Sequence, residues 1–263
     1  QQRLLLEETH GALTRAQTTM GTLHGSQTGV YIGCMYHEYV SVLADSGSKL
    51  SAAAATGNSA SFMVGRLSYA FGLAGPCIST DTACSSSLVA AHLGHRSLIT
   101  EDATAAVAGG ANLMLSATTT AAICQLQALS PVGRCKTFDA SADGYGRGEG
   151  FAVMVLGHTS AAGVQSLAIL ETTAVNQDGR SSSLTAPNGP SQTALVSHAL
   201  RHANLNAASL TYVALHGTGT PLGDPIEVNA LGEALHSIST RPLALGSIKS
   251  CYGHTEGAAG LTG

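Results

Sequence analysis

The chain has 263 residues, 44% of them hydrophobic and only 11% charged, with a formal net charge of −4. This balance excludes a disordered polymer, and with no Lys/Arg cluster it argues against a nucleic-acid binder. No apolar run reaches bilayer length, and six cysteines without a Cys-x-x-Cys pair read as reduced intracellular thiols, not a disulfide framework.

Arg3 to Leu13 opens with a helix-like leucine cluster, and Val30-Tyr31-Ile32-Gly33-Cys34 reads as a short buried strand. Ser46 to Ser61 is small-residue loop and helix, after which Phe62 to Leu73 resumes apolar patterning. Cys77 to Thr80 is strand-like and hands over to Asp81-Thr82-Ala83-Cys84-Ser85-Ser86-Ser87. Leu88, Ala91, His92, His95, Leu98 and Ile99 then recur at helical spacing. Ala105 to Gly110 predicts another buried strand. Phe151 to Leu156 and Leu167 to Val175 predict two adjacent strands joined across Gly157 to Gln165.

Further along, Ser191 to Ala203 predicts an amphipathic helix behind Pro190, and Tyr212 to Leu215 a strand. Asp224-Pro225-Ile226-Glu227 offers an N-cap, a Pro at the first helical position and a Glu two residues further on, so a helix is expected to start there. Leu243 to Ile248 is the last expected strand, and Thr255 to Gly263 begins a helix. Strands alternating with helices predict an α/β fold with a buried sheet.

Cys84 is the sharpest chemical signal. At a strand-to-helix junction, helix-terminal N–H groups and the macrodipole can stabilise a thiolate; a Cys among small residues is otherwise an inert buried thiol. His216 and His254 both follow strands beside glycine-rich turns, where α/β folds gather functional side chains. A lone strand-end His is more often structural, but two of them with a Cys at a third such junction form a constellation. Lys249 and Glu256 flank His254 and could orient or protonate groups there. His92 and His95 have metal-compatible spacing, but no further ligands complete a set, so they read as packing or surface residues. Asn176 to Gly179 is a turn by composition, and no Gly-x-Ser-x-Gly elbow is present.

Together these motifs resemble the ketosynthase (β-ketoacyl synthase) domain of modular polyketide synthases and animal-type fatty acid synthases. Asp81 to Ser87 is similar to that family's nucleophile motif, and His216-Gly217-Thr218-Gly219-Thr220 and Gly246 to His254 to its two histidine motifs. Gly144 to Gly150, Asn176 to Gly179 and Gly223 to Glu227 match in the right order. The resemblance covers essentially the whole chain. Cys251 and Tyr252 depart from it, standing where Asn and a small apolar residue are common.

The resemblance implies a thiolase-like fold, two similar βαβ-rich halves in a five-layered α-β-α-β-α arrangement. Residues 1–160 would form an N-terminal half carrying Cys84, and residues 161–263 a C-terminal half carrying His216 and His254, with an opening strand and a closing loop lying outside the chain. It also implies an acyltransferase: Cys84 as nucleophile, His216 and His254 as catalytic histidines, Lys249 as tuning residue, Thr218 and Thr220 on the pantetheine arm. No metal or other cofactor is implied, because substrates ride on the phosphopantetheine of an acyl carrier protein. A homodimer in the intact parent, a neighbouring acyltransferase domain and a cytoplasmic location are expected, although Gln1 is not an initiator Met and a targeting peptide stays open. The polyketide setting is favoured over the fatty acid one. The alternative is a truncated, non-catalytic ketosynthase-like scaffold or dimerisation module.

Overall fold

A computed structural model describes residues 1–47, 51–159, 166–235 and 242–263. The chain runs α1 (Gln2–Arg15), α2 (Met20–Leu23), β1 (Thr28–Cys34), α3 (Tyr39–Asp45), α4 (Ala52–Asn58), α5 (Ala60–Phe71), β2 (Cys77–Thr80), α6 (Ser86–Ile99), β3 (Ala105–Asn112), α7 (Ala117–Gln125) and β4 (Gly150–Gly157). It continues with α8 (Gly189–His202), β5 (Tyr212–Ala214), α9 (Gly223–Leu235), β6 (Ala244–Gly246), α10 (Lys249–Tyr252), a 3-10 turn at Glu256–Ala258 and α11 (Ala259–Thr262). Two compact units result, each drawing on separated stretches of sequence. The first comprises Gln1–Ala121, Gly148–Ile169 and Thr255–Thr262; the second comprises Ala122–Arg147, Leu170–His254 and Gly263.

In the first unit the sheet order is β2-β1-β3-β4, with β1 parallel to both neighbours and β4 antiparallel to β3. Every residue of β1 is buried, as expected of a central strand covered on both faces. The pleat sorts its side chains: Val30 and Ile32 join Leu5, Leu67 and Val107 in one cluster, while Tyr31 joins Ala90 and Ala106 in another. Helices α1 and α5 thus cover one face and α6 the other. The serine-rich start of α6 has a packing reason, because the buried face of that helix is Ser86, Ser87, Ala90, Ala91 and Gly94. These small side chains let the helix axis close on the sheet.

The second unit holds the parallel pair β5-β6 and the packed helices α8 and α9. Asn188 caps α8 by accepting from the Ser191 N–H at 3.2 Å, and Pro190 stands in its first turn, where no amide partner is needed.

Two expectations are corrected. Leu167 to Val175 forms no strand; Leu167 is 95% exposed, and β4 spends its ladder on β3. Part of the link to it, residues 160–165, lies outside the described residues, as do residues 48–50 of the small-residue stretch. The other correction is Asp224, which does not cap α9. The helix begins at Gly223, two residues before the expected Pro225, and the Asp224 and Glu227 carboxylates accept from loop amides instead.

Candidate active site

Cys84 sits half-buried between β2 and α6, in a turn tied by its own polar residues. Ser86 Oγ accepts from the Thr82 N–H at 2.9 Å and donates to the Ala83 carbonyl at 2.6 Å, while Asp81 accepts from the Ala83 N–H at 3.0 Å. Ala83 is held at φ 55, a left-handed conformation that costs an L-residue ~1–2 kcal/mol, so the turn's hydrogen bonds offset local strain next to the thiol. Gly33 of β1 lies under this turn. A Cβ there would run into the Ser86 backbone, so only glycine lets the central strand approach the start of α6.

The second unit positions the histidines. The Leu215 N–H donates to the Gly246 carbonyl at 2.8 Å, extending the β5-β6 ladder to the residue before His216. The loop then turns under two carboxylates, Asp224 buried and Glu227 half-buried. Glu227 accepts from the His216 N–H and from the Gly217 N–H at 2.9 Å, and Asp224 accepts from Gly219 at 3.0 Å and Phe138 at 2.9 Å. Burial pushes the Glu227 carboxyl upward, and the two amide hydrogen bonds oppose that rise. Thr137 Oγ1 donates to the Gly217 carbonyl at 2.6 Å, completing the clamp.

His254 follows α10. Its N–H donates to the Gly146 carbonyl at 2.7 Å, and Gly146 in turn exchanges hydrogen bonds with the buried Cys135 thiol. Gly253, at φ 77, makes the turn; a Cβ there would sit 3.0 Å from the Arg147 carbonyl oxygen. The His254 ring meets Tyr145 edge to face at 5.0 Å and His216 at 5.2 Å.

Burial is the first cause lowering both imidazoles, His216 to about 4 and His254 to about 2. The Lys249 ammonium adds to both, and His216 adds to His254. The residues differ in access. His254 is 1% exposed, whereas His216 keeps an open face, so the desolvation argument weighs most on His254. Lys249 itself is buried. The arrangement is two neutral imidazoles, each able to donate one N–H, beside a buried cation.

The expected site residues therefore fall into two groups. His216, His254 and Lys249 share the second unit, with Thr218 and Thr220 on the same loop, their hydroxyl oxygens 3.4 Å apart. Thr220 Oγ1 also accepts from the Gly223 N–H at 3.1 Å. Cys84 belongs to the first unit, as does Glu256, whose carboxylate accepts from Asn112 Nδ2 at 2.9 Å. Asp224, Glu227, Tyr145 and Cys135 support the histidine region, although none of them stood out as functional along the chain. The available signal was the loop itself: a glycine-rich run of backbone N–H groups needs acceptors, and two acids follow within eleven residues of His216.

Comparison with known proteins shows the family of the chain. Residues 1–162 match the beta-ketoacyl synthase N-terminal domain model and residues 167–263 the C-terminal domain model. The chain belongs to the β-ketoacyl synthase family. It is 48% identical over 269 residues to a phenolphthiocerol/phthiocerol polyketide synthase from Mycobacterium tuberculosis, matching 100% of this chain and 12% of that protein. It is 44% identical over 268 residues to polyketide synthase GfsA of Streptomyces halstedii, matching 100% of this chain and 4% of that one.

Among solved structures, the oxazolomycin ketosynthase domain OzmH KS7 of Streptomyces albus JA3453 superposes with a TM-score of 0.92 at 36% identity, covering 100% of this chain and 46% of that one. The ketosynthase from module 6 of the bacillaene synthase of Bacillus subtilis 168 superposes with a TM-score of 0.87 at 35% identity, covering 99% and 45%. The fold is the thiolase-like α/β fold of ketosynthase domains. The chain spans less than half of these structures and about an eighth or less of the two curated relatives.

Proposed function

We propose that the protein containing this chain is an acyltransferase that extends acyl chains by decarboxylative condensation in polyketide assembly. The observation that carries the reading is the His216–His254 pair, two close imidazoles held neutral by burial and by Lys249. The Cys84 thiolate attacks an acyl thioester presented on the phosphopantetheine of an acyl carrier protein; an acyl-cysteine forms and the carrier thiol leaves with a proton. A malonyl-type thioester on a carrier then loses carbon dioxide. The electron pair of the broken carbon–carbon bond becomes an enolate, whose oxygen accepts from the neutral N–H groups of His216 and His254. One preorganised donor of this kind is worth ~3–4 kcal/mol. The enolate carbon attacks the acyl-Cys84 carbonyl, and collapse of the adduct expels the Cys84 thiolate.

In this reading Lys249 tunes the histidines, Thr218 and Thr220 contact the pantetheine arm, and no metal or other cofactor takes part. An acyl carrier protein and a neighbouring acyltransferase domain are the partners, in the cytoplasm. Among the described residues no helix is long and apolar enough to cross a membrane. A second reading, a non-catalytic scaffold or dimerisation module, draws on β2. It is the edge strand of its sheet, has one strand partner among the described residues, and exposes Cys77 and Ile78. The same edge supports a homodimer of the active enzyme.

The test is malonyl-carrier decarboxylation and acyl loading in the parent protein and in His254→Ala. The condensing enzyme loses about a hundredfold or more in decarboxylation while Cys84 still takes up an acyl group. A parent that neither acylates Cys84 nor decarboxylates is a scaffold, and an unchanged decarboxylation rate in the variant removes the enolate-holding role.

A further inference from the structure

Outside the family motifs, α8 carries His198 and His202, four residues apart on one helical face. Both residues are exposed, and their rings approach with centroids 5.9 Å apart and planes tilted by 37°. With metal–nitrogen bonds of ~2.0–2.1 Å, one ion reaches a nitrogen of each ring after a small side-chain rotation and no movement of the helix. A second observation concerns the orientation of one ring. Thr172 Oγ1 lies 3.1 Å from His202 Nδ1. A proton donated from Nδ1 to that hydroxyl leaves the lone pair on Nε2, the tautomer a metal requires, and holds the ring in place as outer partners of metal-bound histidines do.

Position on the helix favours a cation as well. The pair occupies the last two turns of α8, where the carbonyl end of the macrodipole is negative. Arg201 stands between the two histidines in sequence and opposes a cation, which the carbonyl end of the helix offsets. Imidazole donors select borderline ions such as Zn2+, Ni2+ and Cu2+ over Mg2+ and Ca2+, which take oxygen. The other histidine pair at helical spacing, His92 and His95 on α6, is half-buried.

We propose that His198 and His202 form a bidentate surface site for a divalent transition-metal ion, with Thr172 orienting His202 and water completing the coordination. The site is independent of the proposed condensation and can be tested without activity. Tag-free chain, with its thiols first blocked by iodoacetamide, is titrated with Ni2+ by calorimetry, alongside His198→Ala, His202→Ala and the double variant. A chelating pair predicts that each single substitution weakens this binding by about tenfold or more, and that the double variant binds no tighter than either single. In the unsubstituted chain Ni2+ should also protect both histidines together from diethyl pyrocarbonate. A smaller loss in either single variant, or failure to protect either histidine, overturns the site.

Discussion

The imidazoles of His216 and His254 stand edge to face, 5.2 Å between centroids and 89° between planes. At that range two imidazolium ions would repel each other, and the buried Lys249 raises the cost further. The pair is therefore held as two neutral rings.

This neutrality makes stability depend on pH. In the unfolded chain an imidazole takes up a proton near pH 6.5, whereas His216 resists to about 4 and His254 to about 2. The unfolded state then binds more protons, so stability present above pH 6.5 is lost as pH falls below it. For His254 the slope approaches ~1.4 kcal/mol per pH unit, and the more open His216 contributes less. Urea unfolding between pH 7.5 and 5 should show a shallower loss in His254→Gln than in the parent. Equal slopes would mean that His254 titrates normally.

Glu227→Gln should slow decarboxylation without abolishing acylation. An amide has one acceptor oxygen where the carboxylate presents two to the His216 and Gly217 N–H groups, and its NH2 faces one of those donors. Leaving a buried amide unsatisfied costs ~1–3 kcal/mol. A lowered kcat with little change in acyl loading, and a lower melting temperature, is the expected pattern. Unchanged kcat would show that the clamp does not set the position of His216.

Cys84 should react with iodoacetamide faster than the other five cysteines. Burial pushes the Cys34 thiol up to about 11 and also raises Cys135, so these two should label last. Cys77, Cys124 and Cys251 are exposed, and access alone would favour them. Peptide mapping after brief labelling at neutral pH separates the possibilities; preference for Cys77, Cys124 or Cys251 would mean that the turn does not activate Cys84.

Gly33→Ala tests how tightly the nucleophile turn is seated. The added methyl meets Ser86 backbone, which cannot swing aside as a side chain would. Overpacking of this kind costs ~1–3 kcal/mol. Denaturant unfolding should report that loss, and Cys84 labelling should change with it. A variant as stable as the parent would show that α6 can move away from β1.

Much of this protein is legible along the chain because its signals are local. β1 reads as a strand from its apolar run, α8 from its periodicity behind Pro190, and the Cys84 turn from a strand followed by small polar residues at a helix start. The cysteine and the two histidines stood out by their motifs, without any contact between elements. Choices among distant partners could be made only by the folded chain. Leu167 to Val175 has strand composition, but a strand exists only where a neighbour offers free N–H and C=O groups, and β4 pairs with β3, far back along the chain. Asp224 and Glu227 have the spacing of a helix cap, yet the stronger demand came from loop amides at Gly219, Phe138, His216 and Gly217. A carboxylate goes to whichever buried donors would otherwise be unpaired, and which donors those are is settled by the tertiary fold.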